Sequence, residues 1–466
     1  MLEIAHGIVG RTDLPIPEWL FGWGAAMVLV VSFVALAVLW PQPRLQDGGG
    51  FRALPAALSR VLLSRVAEIL CGAVGVFLLG LTVYSGLSGS QTATNNFAPT
   101  FVFVIFWLSL VPLSMVFGDV FKAFNPWRAM ARAVAWVAQK VARGPLPAPL
   151  EYPERIGHWP AVVGIFAFAV MELVASNGDK PENVAIAALV YSAATFVAMA
   201  LYGIDRWIER GEAFSVYFNL FSRISPVVRR EGELGLRRPL SGLAALEPVA
   251  GTVPLLAVII GSVTFDGAAE APLWTGIAPD IAEFFGSIGL SPAKALEATF
   301  LVGLVAAILI VFGFYRLGVA GARSVGGDIS ADRLASAFVH SLVPIALAYT
   351  AAHYLTLLLY QGQAIVRISS PPLGFLASNP LGEEGVDIFG TAGEAINYGV
   401  IGATTTWYYQ VAFVVIGHVA ALILAHDRAL VLYDDAKLAV RSQYWMLVVM
   451  VGFTSLALWL LAQSNG

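Results

Sequence analysis

The sequence predicts an all-α, polytopic transmembrane helix bundle of about ten spans, and two observations carry that prediction. Of its 466 residues, 58% are hydrophobic and only 12% are charged, whereas a soluble domain carries about 25% charged residues. The apolar residues are also grouped in runs of about 20, the length that crosses a bilayer as a helix. This composition excludes an ordinary soluble enzyme and a disordered chain, and the net charge of −4 gives no reason to expect a nucleic-acid partner.

Ten apolar runs follow one another along a single integral membrane domain, residues 1–466. Backbone N–H and C=O groups in hydrocarbon must bond within their own segment, and a helix achieves that. We therefore predict a helix for every run, at 18–40, 66–88, 100–120, 159–176, 184–202, 249–265, 298–316, 335–360, 400–425 and 444–462.

The basic residues predict the orientation of the chain in the membrane. All but four of the 27 Lys and Arg residues lie in one set of connections, namely 41–65, 121–158, 203–248, 316–334 and 426–443. Connections rich in Lys and Arg stay on the cytoplasmic side. These connections are therefore predicted to be cytoplasmic, and with ten spans both termini are predicted to lie outside.

Two connections carry predictions of their own. Residues 126–143, PWRAMARAVAWVAQKVAR, combine aromatic and basic side chains in the pattern of an amphipathic helix lying among lipid headgroups. Docking of a cytoplasmic partner or of a membrane-complex subunit is the alternative for that surface. Residues 361–399 form a long extracytoplasmic loop, whose length is typical of a lid or a binding element, with a plain cap as the alternative.

Four ionisable residues predict a metal site near the cytoplasmic boundary. The helix rise of about 1.5 Å per residue places His340 and His418 at the same depth on adjacent spans, with His426 and Asp427 just below. Three imidazoles and a carboxylate suit Zn²⁺, Mn²⁺ or Fe²⁺, and such an ion generates a hydroxide nucleophile. Two alternatives stay open: a network of buried polar groups that locks the helices together, and b-type haem held by His340 and His418.

A second candidate group lies near the extracytoplasmic face. His353 shares a helix face with Tyr349, Thr356 and Tyr360 by helical spacing, and Glu172 lies at similar depth on another span. A histidine and a carboxylate facing one cavity can act as acid and base in catalysis. The alternatives are a proton or cation path and, for Glu172, a side chain that reaches up to the headgroups.

Several stretches resemble a known family. AHGIVGRTDLPIPEWLFGWGAA (5–26), FGDVFKAFNPWRA (117–129), the region 341–430 and QYWMLVVMVGFT (443–454) are similar to bacterial integral membrane proteins labelled fenitrothion hydrolase. The resemblance covers nearly the whole chain and transfers no catalytic residue. It implies a multi-pass protein of the bacterial plasma membrane that hydrolyses lipophilic phosphotriester-like substrates.

Three functions of different classes follow from these features. The first is a membrane-embedded, metal-assisted hydrolase that uses His340, His418, His426 and Asp427, with Glu172 and His353 as further candidate catalytic groups. The second is a transporter of a metal ion or small solute, in which the same polar groups form the path. The third is a haem-binding or redox subunit of a membrane complex.

Overall fold

The computed structural model describes residues 18–46, 49–142, 147–326, 329–369, 389–391, 393–433 and 435–464. In this part of the chain, eight helices are long and apolar enough to cross a membrane, and a ninth span is reached if a bent pair of helices is counted as one. A shorter apolar helix, Trp159–Leu173, accounts for the remaining predicted run. The predicted class, an all-α polytopic bundle, is confirmed.

Each predicted run corresponds to one apolar helix of the structure, and we number these helices in chain order. Their bounds are Glu18–Leu39 (α1), Arg65–Ser88 (α2), Phe97–Phe117 (α3), Trp159–Leu173 (α4), Pro181–Tyr202 (α5), Thr252–Ala268 (α6), Pro292–Ser324 (α7), Ala331–His353 (α8), Ala403–Leu432 (α9) and Tyr444–Ser464 (α10). We call the end of the bundle that carries the basic connections the basic end, and the other the opposite end.

Shorter helices occupy much of the connecting sequence. They are Ala56–Leu62, Val120–Phe124, Pro126–Ala142, Ile204–Arg210, Ala213–Ser222, Ser241–Ala244, Pro272–Ser287, Leu355–Ser369 and Ala436–Ser442. Hydropathy does not reveal these helices, because each is short or mixes polar with apolar residues.

The predicted amphipathic segment forms the helix Pro126–Ala142 at the basic end. Arg128 contacts the Glu68 carboxylate at 2.8 Å, and Arg132 contacts both Glu68 and Asp205, the latter at 3.0 Å. These ion pairs tie the helix to α2 and to the helix that follows α5. Its location among headgroups stays a prediction.

The sixth span departs from the predicted simple crossing. After α6 the chain turns by 93° into the helix Pro272–Ser287, within the stretch expected to be an external loop. Pro272 is the first residue of that helix, a position where the helical hydrogen bonds do not need a backbone N–H. Because proline has no N–H to donate, Pro272 also cannot extend the hydrogen bonds of α6. The chain therefore breaks between Ala268 and Pro272.

A small antiparallel sheet at the basic end was not predicted. Its strands are Arg52–Ala53 (β1), Val227–Arg230 (β2) and Glu233–Leu236 (β3), in the order β1-β3-β2. Glu231 and Gly232 join β2 to β3 with φ angles of 48° and 85°. Positive φ at both positions is typical of a two-residue type I′ hairpin turn. The sheet links the first basic connection to the third.

The centre of the bundle is formed by α6 and α8. In the most apolar 18-residue stretch of α8, 72% of the residues are buried inside the protein. The corresponding share is 17% in α1 and in α2, which are therefore peripheral. In α6, nearly every side chain from Leu255 to Val263 is buried. His340, His353 and Asp266, which lie on these two helices, are thus largely surrounded by protein.

Some sequence predictions fall on residues outside the described ranges. Of the predicted loop 361–399, residues 370–388 and 392 lie outside them, and residues 361–369 continue the helix Leu355–Ser369. Residues 1–17 and 465–466 also lie outside the described part of the chain. The location of both termini on the outer side stays a prediction.

Candidate functional site

A close aspartate–histidine contact between two central helices forms the core of the site. His353 ends α8, and its Nε2 lies 2.8 Å from Oδ2 of Asp266, in the last turn of α6. The two side chains are 13% and 14% exposed. The sequence pointed to His353 but not to this partner, because α6 was expected to end at residue 265 and so to leave Asp266 in a loop.

A break in the helix at Tyr354 positions this pair. The amide of Tyr354 donates to the Thr350 carbonyl at 3.1 Å, and a separate helix begins at Leu355. The Tyr354 ring packs edge-on against the His353 imidazole, with centroids 4.7 Å apart, and its hydroxyl interacts with Asp266. The break thus presents two consecutive side chains to the same carboxylate.

Glu172 belongs to the same cluster. It lies one residue before the end of α4, is half-buried, and interacts electrostatically with Asp266 and Tyr354. Its side chain lines a cavity of about 110 Å³ at the opposite end of the bundle. Thr100, Phe103, Asp179 and Gln361 are among the other lining residues. The prediction that Glu172 and His353 lie at similar depth therefore agrees with the structure.

A further carboxylate lies just beyond the end of α6. Burial raises the pKa of Glu270 and the negative charge of Asp266 raises it further, whereas His353 lowers it. Asp266 thus interacts with two further carboxylates, those of Glu172 and Glu270, and with the imidazole of His353. The cluster has an excess of negative charge whenever these carboxylates are ionised.

A second, smaller cavity borders His353. Its volume is about 20 Å³, which is room for a single water molecule. His353, Thr264 and Tyr349 are its polar lining residues, and Val414 of α9 closes part of its wall. The imidazole of His353 therefore adjoins a cavity that extends into the centre of the bundle.

Asp427, predicted as a metal ligand or catalytic group, is hydrogen-bonded by the segment that follows α1. Its carboxylate accepts from the Arg44 amide at 2.5 Å, Gln46 Nε2 at 2.6 Å, Trp40 Nε1 at 3.1 Å and the Leu45 amide at 3.3 Å. The residue is fully buried. This arrangement fixes a connection at the basic end to α9.

His426 likewise uses both ring nitrogens within the protein. Its Nε2 lies 3.0 Å from the carbonyl oxygen of Trp40, and its Nδ1 lies 3.3 Å from Nε2 of Gln443. A metal ion needs a nitrogen lone pair, so this environment does not fit a ligand role for His426.

The expectation that His340 and His418 share one depth is not met. Gly417 packs against Pro344 and Ala348, whereas the His340 ring lies beside Leu424. Leu424 is six residues beyond His418, or about 9 Å along α9. The estimate failed because α9 extends to Leu432 and because His340 lies in a 3₁₀ turn, Val339–Ser341, rather than in a regular helix.

The two imidazoles nevertheless share an unusual feature. Nδ1 of His418 lies 2.7 Å from the Val414 carbonyl oxygen. The Nε2 atoms of His418 and His340 are buried and have no hydrogen-bond partner among the described residues. The described part of the chain contains no group of three or more His, Cys, Asp or Glu arranged to hold a metal ion. The metal site and the haem site stay predictions. Either site would have to bridge the separation of about 9 Å between His340 and His418 along α9.

No protein-family model, curated protein or solved structure matches this chain. Its site is therefore interpreted from its own geometry.

Proposed function

We propose that this protein is a membrane transporter that binds and moves a cation through the cluster formed by Glu172, Asp266 and His353. One observation carries the proposal: ionisable side chains from three helices interact at membrane depth beside a cavity at the opposite end of the bundle. Ionisable groups inside a membrane protein mark ion and proton pathways.

The charge balance of the cluster favours a cation. An aspartate at the centre of a membrane helix costs about 2.5–3.5 kcal/mol on insertion scales, so it is retained where its charge is compensated. His353 supplies at most one positive charge to Asp266, which leaves Glu172 as a second carboxylate near the first. A bound proton or metal cation neutralises that remaining charge.

Irregular helices around the cluster support the same proposal. The chain bends by 93° after α6, and α8 ends at His353 before a new helix begins. The middle of α3, Thr100–Ser109, is a π-helix that contributes Thr100 and Phe103 to the larger cavity. Discontinuous helices free backbone carbonyls for cation binding in transporters, and π-helical segments are frequent at functional sites.

Flux measurements on purified protein in liposomes test the proposal. Under an imposed membrane potential, we expect movement of at least one cation among H⁺, Na⁺, K⁺ and Mn²⁺ above the protein-free rate. Asp266→Asn and Glu172→Gln should lower that flux by about 100-fold, since each removes a group that binds the ion. Asp280→Asn is the matched control, because Asp280 is an exposed acid on the helix Pro272–Ser287. Absence of flux for all four cations would refute the proposal.

Hydrolysis is a second candidate, favoured by the 2.8 Å contact between Asp266 and His353. A carboxylate that orients an imidazole makes it a better general base toward water. The environment of His426 does not fit the metal-assisted version of this function. Turnover of a nitrophenyl phosphotriester by the purified protein, lost in His353→Gln, would support hydrolysis, and an unchanged rate in that variant would exclude it.

A further inference from the structure

We propose that the transported cation is the proton, and that His418 and His340 form a water-lined route from the Asp266–His353 pair to the basic end. This inference rests on the proposed function and names its substrate. It assigns a role to two buried histidines whose Nε2 atoms have no hydrogen-bond partner among the described residues.

The first step of the route is the small cavity beside His353. Its volume of about 20 Å³ accommodates one water molecule but no hydrated metal ion. The cavity extends from His353 to Tyr349 and Val414, and the Tyr349 ring centroid lies 6.1 Å from that of His418. One water molecule there would lie between His353 and the surroundings of His418.

The second step is His418, which is completely buried. Its Nδ1 donates to the Val414 carbonyl at 2.7 Å, and this bond leaves Nε2 as an acceptor in the neutral ring. Buried acceptors in native proteins are nearly always satisfied, by water where no protein group reaches them. The free Nε2 of His418 therefore indicates a water molecule on this side of the ring.

The third step is His340, which is 2% exposed and lies about 9 Å nearer the basic end along α9. Its Nε2 also has no partner among the described residues, and Arg428 is its nearest described cationic neighbour. The Nε atom of Arg428 is likewise unpartnered there. Asp427, which immediately precedes Arg428 on α9, accepts a hydrogen bond from the connection that follows α1. His353, His418, His340 and Arg428 thus follow one another across the bundle.

The chemistry of the route favours a proton over a metal ion. The Nε2 atom of a neutral imidazole takes up a proton from one water molecule and passes it to the next, while Nδ1 of His418 keeps its hydrogen bond to the Val414 carbonyl, so the ring relays protons without moving. A metal ion needs several ligands at one place, whereas these histidines are separated along the bundle. The first cavity is too small for a hydrated metal ion.

Thiol accessibility tests the water route independently of transport. Cys71 is the only cysteine, so Cys71→Ser gives a background without thiols. In that background, His418→Cys should react with a small water-soluble methanethiosulfonate at least about tenfold faster than Leu422→Cys, because the reaction needs a hydrated thiolate. Leu422 is equally buried on α9 but packs against Leu29 and Phe33. The proposal would be overturned if His418→Cys and His340→Cys both reacted as slowly as Leu422→Cys.

Proton flux in liposomes tests the ion itself. His418→Ala should lower proton flux by about 100-fold. Imidazole added to the buffer should restore part of that flux, whereas it would restore none if His418 had a purely structural role. Wild-type flux of Na⁺, K⁺ or Mn²⁺ without proton flux would overturn this inference and leave the proposed function standing. Absence of flux for every cation would remove the proposed function, and the thiol rates alone would then decide whether the route is hydrated.

Discussion

Asp427 and His426 at the basic end differ from Glu172 and His353 at the opposite end in how completely neighbouring groups satisfy their polar atoms. At the basic end, Asp427 accepts hydrogen bonds from four neighbouring residues, and His426 has a protein partner at each ring nitrogen. At the opposite end, Glu172 and His353 each border a cavity. A polar residue at membrane depth therefore indicates function where some of its hydrogen-bonding atoms face a cavity. Where protein groups bond all of those atoms, the residue instead holds helices and connections together.

The largest effect should come from removing the carboxylate at the basic end. Asp427→Ala leaves the partly buried donors of Trp40, Arg44 and Gln46 without their acceptor, and each unsatisfied donor costs about 1–3 kcal/mol. Thermal unfolding in detergent should show a large fall in stability. A variant as stable as the wild type would remove the structural role of Asp427 and reopen its assignment to a metal site.

A substitution between the two regions should have a smaller effect. A Cβ atom on Gly417 would lie 2.3 Å from the Ala348 Cβ and 2.7 Å from the Pro344 carbonyl oxygen. Gly417→Ala should therefore push α9 away from α8 and cost about 1–3 kcal/mol, with reduced cation flux as a second readout. Gly313→Ala on α7 is the control, since nothing lies within 4 Å of its added Cβ. Equal stability of these two variants would show that α8 and α9 do not need their close contact.

The predicted transmembrane runs and several site residues were accessible from the sequence, for physical reasons. Apolar runs of about 20 residues have no alternative to a helix in a bilayer, and Glu172 and His353 stood out because ionisable residues there are rare. The 93° bend after α6 and the partners of Asp427 were not predictable. The bend depends on tertiary packing, and Asp427 is 383 residues from Arg44 in sequence.

The pH dependence of stability gives a further comparison. Burial, together with the positive charges of Arg210 and Arg223, lowers the pKa of His158, which precedes α4 at the basic end, to about 4. Because this is below the value of about 6.5 in the unfolded chain, protons bind the unfolded state first as the pH falls. Stability should thus decrease between pH 6.5 and pH 4, by about 2 kcal/mol at pH 5. His158→Gln should remove that decrease; an unchanged pH profile would contradict the burial of a neutral imidazole.

The smallest effect should be found at the surface of the basic end. Glu68→Gln removes the carboxylate shared by Arg128 and Arg132, and the Glu68 side chain is 42% exposed. Exposed ion pairs contribute about 0–1 kcal/mol, so stability should change little and should become insensitive to added salt. A loss as large as that of Asp427→Ala would mean that the helix Pro126–Ala142 depends on this network rather than on its apolar packing.

The central claim is that Asp266 serves function and Asp427 serves structure, and one paired measurement tests it. Asp266→Asn on α6 and Asp427→Asn on α9 make the same chemical change, and each is measured for cation flux in liposomes and for thermal stability in detergent. We predict that Asp266→Asn loses about 100-fold in flux and keeps nearly all of its stability, while Asp427→Asn is clearly destabilised. Normal flux in Asp266→Asn, together with a stable Asp427→Asn that has lost flux, would contradict the account.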